Sequence, residues 1–149
     1  MYTIISSDPP SRHDISRRFL EALPHCRALG LTVDEVSEAE AVMSLPYAKT
    51  LIGDPATGVI HGGAVSALMD TCGGAAVMVH PAGPAMTATL DLRIDYMRAA
   101  TPGKTVTARA TCYHVTRSVA FVRAIAHDGD ETDPVATASG AFTVQGVKE

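Results

Sequence analysis

The segment that decides the fold spans residues 58–76 and reads GVIHGGAVSALMDTCGGAA. From Gly63 to about Val79 the chain runs almost without interruption through Ala, Val, Leu, Met, Cys and Gly. A helix with one face in water carries a polar stripe opposite its apolar one, and this segment is too long and too uniformly apolar for that pattern. The sequence therefore predicts one helix, buried on most sides, that the rest of the chain must cover.

Downstream of this helix the pattern changes to the two-residue alternation that is typical of strands. In residues 85–97, one face carries Met86, Ala88, Leu90, Leu92, Ile94 and Tyr96, and the other carries Thr87, Thr89, Asp91, Arg93 and Asp95. This alternation indicates a long, half-buried strand. Three further strands are predicted at residues 105–115, 118–127 and 135–144, and the short turns between them favour antiparallel pairing.

Upstream of the buried helix, residues 12–23 have apolar positions at helical spacing, and Pro24 ends that pattern. Residues 29–46 predict two strands joined by a polar turn. Residues 47–60 are rich in Gly, Asp and Pro, and a loop of this length is often functional. The resulting order is a helix, two strands, the buried helix and four strands. It predicts an α+β domain in which one antiparallel sheet covers a central helix.

The bulk composition fits a folded protein of one domain, residues 1–149, with an N-terminal helical segment over residues 1–24. Apolar residues make up 46% of the chain and charged residues 19%. The net charge is -4 and the 12 Lys and Arg residues are scattered, so nucleic acid is not an expected partner. No apolar run is long enough to cross a bilayer, and the N-terminus lacks the features of a signal peptide. We therefore expect no membrane partner and a cytoplasmic location.

The cysteines and histidines do not suggest a metal site. Cys26, Cys72 and Cys112 are isolated and have apolar neighbours, which indicates reduced, buried thiols. The six histidines show no ligand spacing with the cysteines or with one another. The Gly-x-Ser-x-Gly motif of serine hydrolases is also absent.

Asp70 is the conspicuous residue of the buried helix, because its neighbours Met69 and Cys72 are apolar. An unpaired carboxylate there would cost several kcal/mol of desolvation. One interpretation is that Asp70 caps or pairs with a neighbouring element. The sharper interpretation is a catalytic base or nucleophile.

Gly62 and Gly63 open the helix, so their N–H groups lack intrahelical acceptors and lie at the positive end of the helix dipole. They form a candidate oxyanion site, although two glycines can also serve only a tight loop-to-helix connection. His61, directly before them, is expected to fix the loop by hydrogen bonding rather than to transfer protons.

The segment from Gly58 to Ala76 resembles the signature of PaaI-like hotdog thioesterases, in which the acid also follows the His by nine positions. The similarity continues through residues 89–98 and residues 115–121, and covers roughly Gly53 to the C-terminus. It implies a hotdog fold, an antiparallel β-sheet wrapped around one long central α-helix. The predicted order of elements agrees with that fold.

The resemblance also implies a reaction, the hydrolysis of a small or medium acyl-CoA or an aryl-CoA to the free acid and CoA. Gly62 N–H would polarise the thioester carbonyl, Asp70 would act as general base or nucleophile, and Thr89 would support it. His61 completes the catalytic set as its scaffold. The implied substrate-binding residues are Gly63, Asp91, Tyr96, Arg98, His114, Arg117 and Ser118. Arg98 and Arg117 would neutralise phosphates, although surface arginines are often only solvated. CoA enters as part of the substrate, and no further cofactor is implied.

The helix geometry adds a prediction about assembly. Gly62 and Asp70 lie about 12 Å apart along one helix, too far to serve opposite sides of a single carbonyl. A two-fold homodimer with antiparallel central helices would place Asp70 of one chain beside Gly62 of the other. We therefore expect shared sites in a homodimer, with a dimer-of-dimers homotetramer as the larger assembly.

The chain departs from its relatives at two positions, and two other functions stay open. Pro55 stands where many relatives carry an amide side chain, six positions before His61, with Asp54 and Thr57 nearby. Ala99 stands where relatives tend to have a proline after the arginine. The principal alternative is a hotdog protein that binds acyl-CoA or another acyl ligand without turnover. A hotdog hydratase or dehydratase ranks last, because such enzymes pair an acid with a His on one loop-helix unit, and His61 lies at the wrong end of the helix for Asp70.

Overall fold

A computed structural model describes residues 9–82 and 84–146 of the chain. Its helices are α1 (Arg12–Ala22), α2 (Pro24–Leu29) and α3 (Gly62–Met78), with a short 3-10 turn at Lys49–Leu51. Its strands are β1 (Thr32–Ser37), β2 (Glu40–Leu45), β3 (Ile52–Asp54), β4 (Val59–Ile60), β5 (Thr89–Tyr96), β6 (Val106–Val115), β7 (Val119–His127) and β8 (Ala136–Thr143). The N-terminal segment expected over residues 1–24 is described only from residue 9 onward, and its first eight residues lie outside the described part.

Six strands form one antiparallel sheet in the order β1-β2-β6-β7-β8-β5. The sheet wraps around α3, and the contacts of α3 are chiefly with β6, β2 and β7. This arrangement confirms the predicted α+β hotdog fold. No helix among the described residues combines the length and apolarity that a bilayer span needs.

The buried side of α3 is made of small and medium apolar residues that let the helix lie close to the sheet. They are Ala64, Val65, Leu68, Met69, Cys72, Gly73, Gly74, Ala75, Ala76 and Val77. The three cysteines of the chain are buried free thiols, as predicted. Burial raises the pKa of the Cys72 thiol to about 12, and this thiol donates to the Ala41 carbonyl 3.3 Å away. Cys72 is therefore an unreactive core residue.

The N-terminal helix α1 begins at a capping box. The Ser11 hydroxyl accepts a hydrogen bond from Asp14 N–H at 3.1 Å, and the Asp14 carboxylate accepts from Ser11 N–H at the same distance. The predicted helix over residues 12–23 is confirmed, but Pro24 does not end the helical region. It occupies the first turn of α2, where proline is favoured because no N–H is needed.

Two other predictions need correction. The loop expected over residues 47–60 contains the small β3–β4 hairpin. The strand expected to be half-buried is mostly exposed: Leu90 is 58% and Tyr96 49% exposed, and only Leu92 and Ile94 reach intermediate burial. The reason is position, because β5 is an edge strand and pairs only with β8 in the sheet.

The closeness of α3 to the sheet predicts opposite results for two adjacent glycines. A Cβ added at Gly73 would lie 2.9 Å from Cζ of Phe142, a ring that is 1% exposed. We expect Gly73→Ala to lower the free energy of unfolding by about 1–3 kcal/mol. The measurement is urea unfolding followed by circular dichroism.

Gly74→Ala is the matched control for that substitution. Its Cβ would meet Phe142 and Thr87 only at 3.9 Å, an ordinary contact. We expect this variant to keep or slightly raise the free energy of unfolding, because alanine favours a helix by up to about 1 kcal/mol over glycine. Equal effects of the two substitutions would contradict the proposed close packing at Gly73.

Candidate active site

The start of α3 leaves one backbone donor without an acceptor. His61 is the N-cap residue, and its Nδ1 accepts the Gly63 N–H at 2.8 Å, while Ala64 N–H donates to the His61 carbonyl at 3.0 Å. No group in residues 9–82 or 84–146 accepts from the Gly62 N–H. That N–H therefore stands at the positive end of the helix dipole with its hydrogen available to an external oxygen.

The loop before α3 holds His61 in position. His61 N–H donates to the Leu51 carbonyl at 2.7 Å, and the Tyr47 hydroxyl donates to the Gly58 carbonyl at the same distance. Gly53 passes so close that an added Cβ would lie 2.8 Å from the His61 Cα. The contact involves backbone, so only glycine fits there. These bonds give His61 the fixing function expected from the sequence.

The Pro55 region, where the chain departs from its relatives, is a turn closed by its own polar groups. The Asp54 carboxylate accepts from the Thr57 hydroxyl at 2.7 Å and from Ala56 N–H at 3.0 Å. Both hydrogen bonds lower the pKa of Asp54, and the bond from Thr57 has the larger effect. Both polar side chains near Pro55 thus support the turn itself.

Tyr96, one of the predicted substrate-binding residues, lies against the first turn of α3. Its hydroxyl donates to the Gly62 carbonyl at 2.8 Å and makes a hydrogen bond with the Ser66 hydroxyl. A Cβ added at Gly62 would meet the Tyr96 ring at 3.6 Å. Tyr96 thus connects the edge strand to the start of the helix and holds the Gly62–Gly63 peptide, which follows the peptide that carries the Gly62 N–H.

Asp70 is half-buried and hydrogen-bonded, which corrects the expectation that it is fully buried. Its Oδ1 accepts from the Thr89 hydroxyl at 2.6 Å. The physical reason is the helix face on which it lies. Ser66, Ala67, Asp70 and Thr71 form one stripe of α3 with intermediate burial, while Met69 and Cys72 on other faces are fully buried. The polar spacing of Ser66 and Asp70, four residues apart, is the sequence signal of this stripe.

A β-bulge brings Thr89 to Asp70 and corrects a second expectation. The alternation in the sequence placed Thr89 on the polar face with Asp91. In the structure Thr89 pairs with Phe142 and Asp91 pairs with Ala141, so Leu90 is an extra residue in β5. Directly paired residues of antiparallel strands share a face, and an extra residue reverses the alternation. Thr89 therefore faces α3 on the same side as Phe142, and Asp91 faces away.

Two small cavities lie along α3. The first measures about 170 Å³ and is bordered by Asp70, Thr89, Gly74 and the α1 residue Phe19. The second measures about 280 Å³ and is bordered by Gly62, Val65 and Tyr96. Within one chain, the carboxylate and the available N–H therefore border different cavities.

Arg98, predicted to bind phosphate, is held by carboxylates. Its guanidinium contacts the Asp128 carboxylate at 2.6 and 3.0 Å and the Asp133 carboxylate at 3.2 Å. The hydrogen bond from Arg98 lowers the pKa of the buried Asp128 carboxyl well below its usual range, and the hydrogen bond from the Thr101 N–H adds a smaller effect in the same direction. This geometry connects the end of β5 to the turn after β7, and it favours a structural function for Arg98.

The other predicted binding residues lie away from Asp70. His114 and Arg117 border a cleft of about 810 Å³ together with His80 and Tyr113. Ser118 lies in the same turn and is exposed, and its carbonyl accepts from Val144 N–H at 2.9 Å. The structure thus brings together His61, Gly62, Gly63 and Tyr96, and separately Asp70 and Thr89. Arg98 also borders the cavity of Gly62 and Tyr96, whereas Asp91 and residues 114–118 border neither this cavity nor that of Asp70.

Sequence reasoning missed the wall of the Asp70 cavity. Phe19 reaches it from α1 and Leu23 from the junction of α1 and α2, and Gly74 and Phe142 border it from α3 and β8. These residues are apolar and far apart in the chain, so nothing in their spacing marks them as neighbours of a site. Ser66, which contacts Tyr96, was detectable only through its four-residue spacing from Asp70.

Comparison with known proteins gives a consistent result. The family model described as thioesterase superfamily matches residues 57–135, more than half of the chain. A solved Pseudomonas aeruginosa structure is 44% identical, with a TM-score of 0.81, and the match covers 89% of this chain and 98% of that one. The phenylacetic acid degradation protein PaaI of Thermus thermophilus, solved as a mutant, is 28% identical with a TM-score of 0.72. The match covers 82% of this chain and 99% of that one.

Two curated relatives are also similar. A medium/long-chain acyl-CoA thioesterase of Salmonella typhimurium, YigI, is 25% identical over 143 residues, which cover 87% of this chain and 91% of that protein. A Halobacterium salinarum protein proposed to be an esterase is 39% identical over 75 residues, 48% of this chain. That match spans half of the Halobacterium protein's length. The PaaI-like resemblance seen in the sequence is thereby confirmed.

The Arg98–Asp128 pair predicts how stability depends on pH. A carboxyl whose pKa is lowered in the folded state stabilises that state above its unfolded pKa of about 4, and this stabilisation is lost as the pH falls through the folded pKa. We expect Asp128→Asn to lower the urea midpoint at pH 7 and to weaken its decline below about pH 4. Urea unfolding at several pH values measures both the midpoint at pH 7 and its decline at low pH.

Asp133→Asn is the control for this prediction, because the Asp133 side chain is 71% exposed while that of Asp128 is 5% exposed. We expect it to change the midpoint much less. Equal midpoints for the Asp128 variant and the unmodified protein at pH 7 would show that the pair does not stabilise the fold.

Proposed function

This chain belongs to the thioesterase superfamily, and from that membership we propose that it hydrolyses acyl-CoA thioesters to a free acid and CoA. The observation that carries the proposal is the pairing of two features on α3. The helix begins with a backbone N–H that has no acceptor among the described residues, and its middle carries a carboxylate held by a threonine hydroxyl. Hydrolysis of a thioester needs a donor for the developing oxyanion and a base or nucleophile.

In the proposed mechanism, the thioester carbonyl oxygen accepts from the Gly62 N–H. Negative charge grows on that oxygen in the transition state, where the helix dipole adds to the stabilisation. The peptide that carries this N–H is held through its His61 carbonyl, which accepts from Ala64 N–H, and the tyrosine hydroxyl holds the next peptide through the Gly62 carbonyl. His61 contributes by capping the next N–H, so that the first turn keeps one free donor.

Asp70 activates the attack. As a general base it takes a proton from water while the water oxygen bonds to the carbonyl carbon. The carbon–sulfur bond then breaks, and CoA leaves as a thiolate that takes up a proton. Thr89 donates to Oδ1 of Asp70, which leaves Oδ2 for the water. As a nucleophile, Asp70 would instead form an anhydride that water hydrolyses. Thr89 orients the carboxylate in either case.

The two groups are proposed to meet across a homodimer. Along one helix they are about 12 Å apart, and they border different cavities. The edge strand β5 supports this proposal, because it lacks a second sheet neighbour among the described residues and exposes Leu90 at 58%, with Met97 directly after it at 55%. Unpaired, apolar edges are suited to pairing with a second chain. Further pairing of such dimers into a tetramer remains part of the proposal.

The turn at residues 114–118 is the proposed contact for the CoA nucleotide. The cleft beside it offers Arg117, His114 and His80 to anionic groups. Arg98 is left out of this function, because its guanidinium already contacts Asp128 and Asp133.

The function of Asp70 is tested by substitution. We expect Asp70→Asn to lower kcat by about 10²–10⁴-fold while the protein stays folded, because the amide cannot accept a proton. Thr89→Val should lower kcat by roughly tenfold, since one hydrogen bond to a charged group is lost. Thr89→Ser, which keeps the hydroxyl, should retain activity. The assay measures thiol release from a panel of acyl-CoA thioesters.

The same assay separates catalysis from binding. Thiol release that is unaffected by Asp70→Asn would remove Asp70 from the mechanism. Tight binding of acyl-CoA by calorimetry without any thiol release would replace the proposed hydrolase with an acyl-CoA-binding protein.

The shared site is tested by mixing two inactive variants. Gly62→Pro removes the N–H and adds a ring that the backbone accepts, since proline is favoured at the first helical position and His61 already has the extended backbone that precedes proline, with φ -63° and ψ 134°. We expect this variant to lose about 10²–10³-fold in kcat. Gly62→Ala, which keeps the N–H, is its matched control.

Subunit exchange between Gly62→Pro and Asp70→Asn should restore activity. In a mixed dimer with shared sites, one site receives both lesions and the other receives none. Random exchange of equal amounts would therefore recover about a quarter of the unmodified activity. No recovery, although native mass spectrometry detects mixed dimers, would mean that each site lies within one chain.

A further inference from the structure

Ser66 lies on the half-buried stripe of α3, midway between the two groups that the proposed reaction uses. It follows Gly62 by four residues and precedes Asp70 by four, so all three lie on one side of the helix. Ser66 and Asp70 are half-buried, whereas ten other residues of α3 are buried. The stripe is therefore the side of α3 that its own sheet covers least.

The proposed shared site fixes which residue of this stripe meets its own copy, and the inference drawn here rests on that site. In the proposed dimer, Asp70 of one chain lies beside Gly62 of the partner subunit. When a two-fold axis relates two antiparallel helices, the residue halfway between a facing pair meets its own copy at the axis. That residue is Ser66, which therefore faces Ser66 of the partner subunit.

A hydroxyl group suits a position that meets its own copy. A carboxylate or an ammonium group there would face an identical charge, whereas a hydroxyl both donates and accepts hydrogen bonds. On the axis, one serine hydroxyl donates to the other, and the second donates to the oxygen of its own Tyr96. The two directions of this chain of hydrogen bonds are equivalent by symmetry.

Tyr96 connects each serine to an active site. Its hydroxyl donates to the Gly62 carbonyl at 2.8 Å and makes a hydrogen bond with the Ser66 hydroxyl, which lies 3.2 Å from the same carbonyl oxygen. Because Tyr96 gives its single hydrogen to the carbonyl, its oxygen accepts from Ser66. Tyr96 is still 49% exposed on the edge strand β5. A tyrosine with a bonded hydroxyl and an uncovered ring is typical of an interface.

We propose that the Ser66 and Tyr96 hydroxyls of two protomers form one hydrogen-bonded cluster on the two-fold axis of the dimer, between its two active sites. Both are positioning residues, because they act on the substrate only through the Gly62–Gly63 peptide that they hold. The cluster sets the register of the two central helices. That register decides how far Asp70 of one chain lies from Gly62 of the partner subunit.

A cysteine cross-link tests the position of the axis. Packed helices lie about 8–10 Å apart and each Cα lies about 2.3 Å from its helix axis, so facing Cα atoms are about 4–6 Å apart. A disulfide needs a Cα separation of about 4.4–6.8 Å. We expect Ser66→Cys to give a covalent dimer on mild oxidation, detected by non-reducing gel electrophoresis.

Asp70→Cys is the matched control for this cross-link. Its two copies would lie about 12 Å apart along the antiparallel helices, so they should not form a disulfide. The three native cysteines are buried free thiols and should stay unlinked in both variants.

Charge substitutions test whether Ser66 meets itself. We expect Ser66→Asp and Ser66→Lys each to raise the dimer dissociation constant at least about tenfold, because each places two like charges together. An equimolar mixture should form heterodimers, in which the two charges attract. Native mass spectrometry measures both. The same substitutions at Ser37, which is exposed on β1 at the other edge of the sheet, should leave the dissociation constant unchanged.

Kinetic measurements test the positioning function. Ser66→Ala should lower kcat for acyl-CoA hydrolysis by about fivefold with KM unchanged, which is the effect of one hydrogen bond. Ser66→Thr keeps the hydroxyl and should retain activity. Tyr96→Phe should also lower kcat, and the double variant should lose little more, because the two hydroxyls act as one unit. Unchanged unfolding midpoints would separate these losses from a loss of folding.

The outcomes distinguish this inference from the function on which it rests. Suppose that mixing Gly62→Pro with Asp70→Asn restores activity. The absence of a Ser66→Cys cross-link and of any preference for the mixed charge pair would then contradict the cluster and leave the shared site intact. Unchanged kcat in Ser66→Ala and Tyr96→Phe would contradict the positioning function. No recovery on mixing would remove the shared site together with the cluster, while Asp70-dependent thiol release would still support the thioesterase.

Discussion

The close approach of α3 to the curved sheet is the constraint on which the rest of the structure depends. A Cβ added at Gly73 would lie 2.9 Å from the Phe142 ring, and ten of the residues of α3 are buried. Because most of the helix is buried in this way, polar groups are confined to one stripe and to the first turn. Asp70 lies on that stripe and Gly62 in that turn. The packing that stabilises the fold therefore also decides where chemistry can occur.

Most of the fold could be predicted because its signals are local. The uniform apolarity of residues 63–79 indicated the central helix, and alternation indicated the strands at residues 105–144. The wrong predictions concern features that depend on neighbouring elements of the fold, which a local sequence pattern does not show. Pro24 begins a second helix because α1 has already ended at Ala22. The exposure of β5 depends on its place at the sheet edge, which only the strand order reveals.

The candidate site could be predicted in part. The glycines, the capping histidine and the acidic residue all lie within nine positions of one another, and their arrangement follows from helix geometry. Thr89 was correctly paired with Asp70 through family resemblance, but alternation put it on the wrong face, because a bulge at Leu90 leaves no mark in the sequence pattern. Arg98 was assigned to a ligand through the same resemblance, and its partner Asp128 is 30 residues away in the chain. Long-range ion pairs of this kind cannot be read from spacing.

The contribution of α1 to the Asp70 cavity has a consequence for how such a protein can diverge. The residues proposed to carry out the reaction all follow Gly53 in the chain, and they depend on a tightly packed helix that tolerates little change. Phe19 and Leu23 precede that region and are only half-buried, so they can be replaced at small cost to the fold. Substitutions near the N-terminus can therefore change the wall of the Asp70 cavity while the packing of the central helix stays the same.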